Sequence, residues 1–236
     1  MISRRLFLEL AGTAAVTHVV FPLRAMGESV PTTLDHILLG CSDLDKGITF
    51  VEEKTGVRAA FGGVHPGRGT QDALLSFGEH RYLEIIAPDP KQSGVQQFTA
   101  IANLVEPRLI GWAAHPGDLD SFAKKLHEAS LAFEGPTPGS RKRPDGGLLQ
   151  WKALRLKDDA SGLLPFFIEW SANSLHPSTD APSGCRIVRI EILTPDPDAL
   201  AKTAKQLGLD FPIVKANNPQ LRATIASPKS ELVLTS

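Results

Sequence analysis

Three stretches of the chain repeat one pattern of apolar and polar positions. Residues 34–45, 109–120 and 187–198 align without gaps, and each begins with a short, largely apolar run. A run of this length predicts a buried strand. Each stretch then reaches an aspartate at the same offset from its start, and the three residues are Asp43, Asp118 and Asp196.

Each of these aspartates predicts the start of a helix. A carboxylate there accepts hydrogen bonds from free backbone N–H groups and suits the helix dipole. In the second copy the apolar residues Leu119, Phe122 and Leu126 follow at helical spacing. Gly56 and Gly208 follow the first and third helices, and glycine is typical of a helix C-terminus.

Strand-like segments follow each predicted helix. They comprise residues 73–77 and 82–86 in the first copy, 148–153 and 165–170 in the second, and 221–225 and 231–235 in the third. The repeated unit is therefore a strand, a helix and then two or three antiparallel strands. This order predicts an α+β protein with helices packed on one face of a sheet.

The first 27 residues have the layout of an export signal rather than of a folded element. Arg4 and Arg5 precede a moderately apolar stretch, and the small residues Ala25 and Gly27 follow. The paired arginines resemble a twin-arginine signal. This predicts a precursor handled by the twin-arginine machinery and a mature protein in the periplasm or outside the cell. A packed N-terminal helix is the alternative interpretation.

Composition narrows the class of partner. The formal net charge is −1, with 22% charged and 42% apolar residues, and there is no long basic block. Nothing in this charge pattern suggests a surface that binds nucleic acid. No apolar run is long enough to span a membrane, so the mature chain is expected to have no membrane partner. Cys41 and Cys185 either pair after export or remain two buried thiols.

Candidate chemistry starts from a histidine and two glutamates on predicted strands. His36 lies on the first strand, Glu84 among Tyr82 and apolar residues, and Glu169 between Ile168 and Trp170. A carboxylate in apolar surroundings is costly unless it is paired, protonated or bound to a metal. A metal site and a metal-free acid–base pocket both remain open on this ground.

Other candidates lie in two glycine-containing segments. His65 is in residues 62–70, where it could carry a proton, bind a metal or fasten the loop. Residues 141–147 contain three cations and the Pro144–Gly146 turn, which suggests that Arg143 and Asp145 contact substrate; a solvated hairpin tip is the alternative. Trp112 and Trp151 are candidate apolar walls of a binding pocket.

The motifs in order resemble those of glyoxalase-like domains in the vicinal-oxygen-chelate superfamily. The similarity covers residues 34–177. Its motifs are residues 34–36, 62–70, 82–86, 141–146, 149–151 and 164–170. The resemblance implies βαβββ modules that form a cupped mixed β-sheet with helices outside, in a domain of residues 33–177 with modules at 33–90 and 108–177. Residues 185–236 would be a third, partial βαββ module packed on this domain.

The resemblance also implies a divalent metal between two modules, held by the first and last strands of each. His36, Glu84 and Glu169 fall at three of these positions, and Gly111 leaves the fourth without a ligand. Imidazole and carboxylate suit Zn, Fe, Mn, Ni or Co. Arg189 stands at the matching position of the third copy, which predicts a role in packing or homodimer formation rather than a second site.

The expected function is that of an exported, metal-dependent lyase or isomerase. It would act on a small oxygenated organic molecule through an enolate-like anion, with Glu84, Glu169 and His65 as catalytic residues. Two other functions remain open. One is a non-catalytic protein that sequesters a small molecule, and the other is a ring-cleaving extradiol dioxygenase, which would require His65 to reach the metal.

Overall fold

The computed structural model describes residues 29–92, 99–157, 159 and 162–236. The predicted export signal, residues 1–27, lies outside the described residues. The first half contains β1 (Leu34–Gly40), α1 (Leu44–Thr55), β2 (Ala60–His65), β3 (Thr70–Gly78) and β4 (Arg81–Pro88). A short helix α2 (Thr99–Ala102) leads to β5 (Arg108–Ala114), α3 (Leu119–Glu128), β6 (Phe133–Lys142), β7 (Leu148–Leu156) and β8 (Phe166–Trp170).

The remaining elements follow a 3₁₀ turn at Pro177–Thr179. They are β9 (Arg186–Thr194), α4 (Pro197–Leu207), β10 (Ile213–Lys215), β11 (Gln220–Ala226) and β12 (Leu232–Thr235). Among the residues described above, no helix combines the length and apolar character needed to cross a lipid bilayer. Cys41 and Cys185 are both buried free thiols, so they do not form a disulfide in this structure.

The three aspartates cap their helices as predicted. The side chains of Asp43, Asp118 and Asp196 accept hydrogen bonds from the backbone N–H groups of the residues three positions ahead. Gly56 and Gly208 end α1 and α4 with positive φ angles of 80° and 68°, which a residue with a side chain adopts only at a cost.

The first two repeats form one eight-stranded mixed sheet. Its strand order is β2-β3-β4-β1-β5-β8-β7-β6, with β1 and β5 antiparallel at the centre. Within each half the first and last strands are parallel, β1 with β4 and β5 with β8. This arrangement confirms the predicted α+β fold with a cupped sheet.

The two edge strands, which the apolar pattern does not predict, nearly close the cup. Arg141 on β6 donates from its guanidinium to the carbonyl of Gly62 on β2. Gly63 has a φ of 148°, and a Cβ there would lie 2.6 Å from the carbonyl oxygen of Lys142. Only glycine allows the two backbones to approach so closely. Because β6 is an edge strand, it also tolerates Pro138.

The third segment has the predicted order of a strand, a helix and further strands, but it differs from the first two copies in its strand pairing. It forms a separate sheet of order β10-β9-β11-β12, in which the first strand, β9, pairs antiparallel with β11 and not with the last strand, β12. This sheet shares one hydrophobic core with the eight-stranded sheet and helices α1 and α3. Trp112 on β5 meets Phe211 edge-on, with ring centroids 5.6 Å apart.

Candidate functional site

The concave face of the eight-stranded sheet encloses a cavity of about 80 Å³. Because side chains alternate along a strand, β4 contributes Tyr82, Glu84 and Ile86 to this face, while β8 contributes Phe166, Ile168 and Trp170. The other lining residues come from β1, β2, β3, β6, β7 and the turn after β2: His36, Leu38, His65, Arg68, Thr70, Asp72, Arg141, Trp151, Ala153 and Arg155.

His36 is held at the floor of the cavity by the preceding residue. Its Nδ1 atom lies 2.6 Å from Oδ1 of Asp35, and its ring stacks on Tyr82 with centroids 4.5 Å apart. A carboxylate only accepts hydrogen bonds, so Nδ1 carries the proton. In the neutral ring the lone pair is therefore on Nε2, which lies 3.4 Å from Oε2 of Glu84. This Nε2 atom is buried and makes no hydrogen bond within the described part of the chain.

Asp35 is the anchor of this arrangement. Its second oxygen accepts from Trp170 Nε1 at 3.0 Å and lies 3.4 Å from His176 Nε2. Burial raises the pKa of Asp35, but hydrogen bonds from His176 and His36 outweigh it and hold the pKa well below its usual range. The carboxylate is thus ionised at neutral pH, as the orientation of His36 requires.

His65 approaches Glu84 from the opposite side. Its Nδ1 pairs with the hydroxyl of Thr70 at 2.9 Å, while its Nε2 lies 3.5 Å from Oδ2 of Asp72 and 3.7 Å from Oε1 of Glu84. Burial alone lowers the pKa of His65. The hydrogen bond to Asp72 and the charges of Asp72 and Glu84 raise it above its usual value. His65 is the last residue of β2 rather than part of a glycine-rich loop.

Asp72 and Arg141 form a buried ion pair beside His65. The guanidinium of Arg141 lies 3.3 Å from Oδ2 of Asp72, and both residues are at most 3% exposed. The other oxygen of Asp72 is buried with no hydrogen-bond partner among the described residues. A buried ion pair requires such mutual compensation, since removing one partner leaves an unpaired charge. The pair therefore fixes both Asp72 and, through it, His65.

The donor atoms fit the divalent metal that the family resemblance implies. Two imidazole Nε2 atoms flank the two oxygens of Glu84, and the Nε2 of His36 has no other hydrogen-bond partner in the described ranges. His65, Asp72 and Glu84 also place one ligand atom each within 4.8 Å of one another. Nitrogen and carboxylate donors suit a borderline or hard divalent ion. The carboxylate behind His36 is the partner that metal-binding histidines usually have.

Glu169 does not join this cluster, contrary to the predicted ligand set. Its side chain lies on the other face of β8, where Oε2 accepts a 2.7 Å hydrogen bond from the backbone N–H of Leu119 at the start of α3. Ile168 and Trp170 occupy the cup side of the strand. Matching the two glutamates by sequence placed Glu169 in the wrong register, and a shift by an odd number of residues reverses the face.

Gly111 supplies no ligand at the fourth position, as the sequence predicts. It pairs with Leu38 across the centre of the sheet, and a Cβ added to it would have no atom within 4 Å. Arg189, at the matching position of the third repeat, lies 3.8 Å from Glu191 in the other sheet. The described metal donors therefore come from the first module only.

The predicted substrate contacts are only partly brought together. Trp151 lines the cavity and meets His65 edge-on at 6.5 Å, but Trp112 is in the core and donates to the Leu163 carbonyl. Arg143 and Asp145 lie outside the cavity, where Arg143 pairs with Asp145 and Asp180. The cation that reaches the cavity from this segment is Arg141.

Three residues of the site escaped prediction from the sequence. Asp35 was not singled out in the sequence, although its carboxylate contacts the ring of His36 in the structure, at a point where the register of β1 against β5 shifts. Asp72 directly precedes the apolar run of β3. A single acidic residue at the start of a strand was the only sequence signal that could have marked it as a site residue. Arg141 was not separated from its exposed neighbours, because only the approach of β2 and β6 buries it.

The fold and the cavity define a cupped two-module protein with an imidazole–carboxylate site. Residues 34–208 match the model of the glyoxalase-like domain family, and the chain belongs to that family. This confirms the resemblance found in the sequence. No curated protein sequence matches the chain.

Three solved structures are similar to this chain at low sequence identity. A hypothetical protein from Staphylococcus aureus is 16% identical with a TM-score of 0.60, covering 87% of this chain and 85% of that one. Methylmalonyl-CoA epimerase from Mycobacterium tuberculosis is 22% identical with a TM-score of 0.44, covering 61% of this chain and 91% of that one. A variant of the Streptomyces coelicolor methylmalonyl-CoA epimerase, in complex with 2-nitronate-propionyl-CoA, is 21% identical with a TM-score of 0.43. The match covers 59% of this chain and 97% of that one.

Proposed function

We propose that this protein is a metal-supported lyase or isomerase of the glyoxalase-like class. It would remove a proton from a carbon next to a carbonyl group in a small oxygenated molecule. The observation that carries this proposal is the position of Glu84, whose two carboxylate oxygens lie 3.4 Å and 3.7 Å from the Nε2 atoms of two different histidines. A buried carboxylate between two imidazoles is equipped to take a proton and pass it on.

The two carboxylate oxygens of Glu84 have different roles in this proposal. Oε2 faces His36, and these two side chains would hold a divalent ion, which polarises a carbonyl oxygen when bound. Oε1 faces His65 and takes the proton from the substrate carbon. His65, whose pKa is raised by Asp72 and Glu84, would deliver a proton to the product. Trp151 and Trp170 supply the apolar walls that limit the entry of water.

Proton exchange in D₂O tests the proposal without knowledge of the natural substrate. A panel of small hydroxy-ketones, keto acids and thioesters is incubated with the protein, and loss of the α-proton signal is followed by ¹H NMR. We expect exchange with at least one class and its loss in Glu84→Gln. Glu169→Gln is the matched control and should exchange like the wild type, since Glu169 lies on the outer face of β8.

A binding protein that sequesters a small molecule is the second candidate. It is favoured by the absence of cup-side ligands at Gly111, Ile168 and Trp170 on the second module's first and last strands, where the structure describes all three residues. Tight binding of an aromatic compound, without stoichiometric metal and without exchange, would establish it and overturn the enzyme.

An extradiol dioxygenase is the third candidate, because His65 does lie near Glu84. His36, His65 and Glu84 would be two histidines and one carboxylate, a ligand set typical of non-haem iron oxygenases. Anaerobic loading with Fe(II) followed by a catechol cleavage assay tests it. Ring cleavage would replace the isomerase proposal.

We also propose that residues 1–27 direct export and are removed. The support is the order of charged, apolar and small residues. Fractionation of cells that express the full chain, compared with Arg4→Lys/Arg5→Lys, tests this. Mature protein in the periplasm or medium that is lost in the double variant is the expected result.

A further inference from the structure

Two arginines at the mouth of the cavity have no counter-ion in the described structure. Arg68 and Arg155 both line the cavity that contains Glu84. Within residues 29–92, 99–157, 159 and 162–236, neither guanidinium has a hydrogen-bond or ion-pair partner; Arg155 lies only over the ring of Phe166, 4.6 Å from its centroid. Other arginines of the chain, such as Arg58 and Arg141, are paired with acids.

The two cations come from different modules, and the fold places both along the same cavity. Arg68 lies in the turn between β2 and β3, and Arg155 lies near the end of β7. Burial lowers the pKa of Arg155, and the charge of Arg68 lowers it further, although Glu84 and Glu134 act in the opposite direction. Two like charges that sense one another in this way repel, and a bound anion would relieve the repulsion.

The turn that carries Arg68 is held in place. The backbone N–H of Gly67 donates to the side chain of Gln92 at 2.9 Å, and that of Arg68 donates to the carbonyl of His65 at 3.1 Å. Gly67 has a positive φ of 71°, with open space where its Cβ would be. The turn therefore presents Arg68 beside His65 from a fixed position, which lowers the entropy lost when a ligand binds.

We infer that Arg68 and Arg155 form a clamp for an anionic group of the substrate, a carboxylate or a phosphate, and that the substrate class is an acidic carbonyl compound. Guanidinium groups bind such anions through paired, charge-assisted hydrogen bonds. The anion would be held at the mouth while the carbon that loses its proton reaches Glu84. This inference rests on the proposed function for the reacting end of the molecule, but the clamp itself requires only the cavity.

Binding of two simple anions tests the clamp. Malonate and inorganic phosphate are titrated separately into the full chain, and the fluorescence of Trp151 and Trp170, which line the cavity, reports binding. We expect saturable binding of at least one anion, and the comparison between the two identifies carboxylate or phosphate as the ligand group. Arg68→Gln and Arg155→Gln should each weaken binding about tenfold or more, because each substitution removes charge-assisted hydrogen bonds to the anion.

Arg58→Gln is the matched control, because it removes one positive charge at an exposed ion pair outside the cavity. It should leave the dissociation constant unchanged, and far-UV circular dichroism establishes that each variant is folded. Rising salt should weaken binding to the wild type more than to the Arg68→Gln/Arg155→Gln double variant. Absence of saturable binding, or equal affinity in wild type and both cavity variants, overturns the clamp.

Failure of the clamp and failure of the proposed function give different results. If neutral carbonyl compounds exchange their α-protons as fast as acidic ones and the arginine variants retain this exchange, the enzyme stands and the clamp is wrong. If malonate or phosphate binds through the two arginines but no compound exchanges, the clamp stands and the enzyme is wrong.

Discussion

The carboxylate of Asp35 lies 2.6 Å from Nδ1 of His36 and sets which nitrogen of that ring faces the cavity. Both residues are 2% exposed, so no water competes for this contact. The hydrogen bond directs Nε2, with its lone pair, at Glu84. A residue that does not itself line the cavity thus determines which nitrogen of His36 faces a metal or a proton.

Asp35→Asn should weaken metal binding while leaving the metal ligands themselves unchanged. An asparagine oxygen accepts a weaker hydrogen bond, and its amide can also turn an N–H toward His36. Losing a carboxylate partner behind a histidine typically costs roughly 10–100-fold in metal affinity. Competition with a chromophoric chelator measures the affinity. Asp180→Asn, at an exposed ion pair with Arg143, is the control; wild-type affinity in Asp35→Asn would contradict the assigned role.

Replacement by glutamine should remove the bound metal at Glu84 but not at Glu169. Glu169→Gln keeps an oxygen that accepts from Leu119 but loses the negative charge at the N-terminus of α3, which contributes about 0.3–1 kcal/mol at such positions. We expect that small loss in urea denaturation and an unchanged metal content. Glu84→Gln should lose the bound metal. Metal loss in Glu169→Gln would restore the ligand set predicted from the sequence.

The sequence predicts most of the framework because local signals specify it. Asp43, Asp118 and Asp196 identify three helix starts, and short, largely apolar runs identify β1, β3 and β4. Strands β2 and β6 are missed because they are edge strands in which glycine and proline interrupt the apolar pattern. Their position depends on contacts across the cup, which no local pattern encodes.

The site is less predictable than the framework. His36, His65 and Glu84 are recognisable as polar residues in apolar strands. Glu169 is equally recognisable but lies on the wrong face, since the loop lengths of the two modules differ and a match by residue type does not fix the register. The third repeat shows the same limit. Its local pattern resembles that of the first copy, yet its first strand, β9, pairs with β11 and not with the last strand of the segment.

His65 should make the stability of the metal-free protein depend on pH. Its folded pKa is raised above the usual 6.5 by Asp72 and Glu84. The folded state therefore binds its proton more tightly than the unfolded chain. This contribution is fully present below pH 6.5 and is lost as pH rises through the folded pKa.

Urea denaturation with a chelator present, at pH 6 and at two higher values, measures this effect. The wild type should lose more stability over that range than His65→Gln, which has no ionisable ring. His80→Gln, at an exposed position, is the control. Parallel pH dependence in the wild type and His65→Gln would show that the folded pKa of His65 is not raised.

Closure of the cup at Gly63 gives the last prediction. A Cβ at this position would lie 2.6 Å from the Lys142 carbonyl oxygen, so Gly63→Ala should push β2 away from β6 and disturb Arg141. Gly67→Ala is the matched control, because its φ of 71° is also unfavourable for alanine but its surroundings are open. The control should cost about 1–2 kcal/mol, the usual penalty for a left-handed backbone conformation.

We expect Gly63→Ala to cost clearly more than the control in urea denaturation. It should also weaken α-proton exchange, because a displaced Arg141 no longer holds Asp72 beside His65. An unfolded Gly63→Ala would still agree with the stability prediction, and Arg141→Lys then tests the catalytic part in a folded variant, with reduced exchange expected. Equal free energies of unfolding for Gly63→Ala and Gly67→Ala would show that the contact between the edge strands is not needed to close the cup.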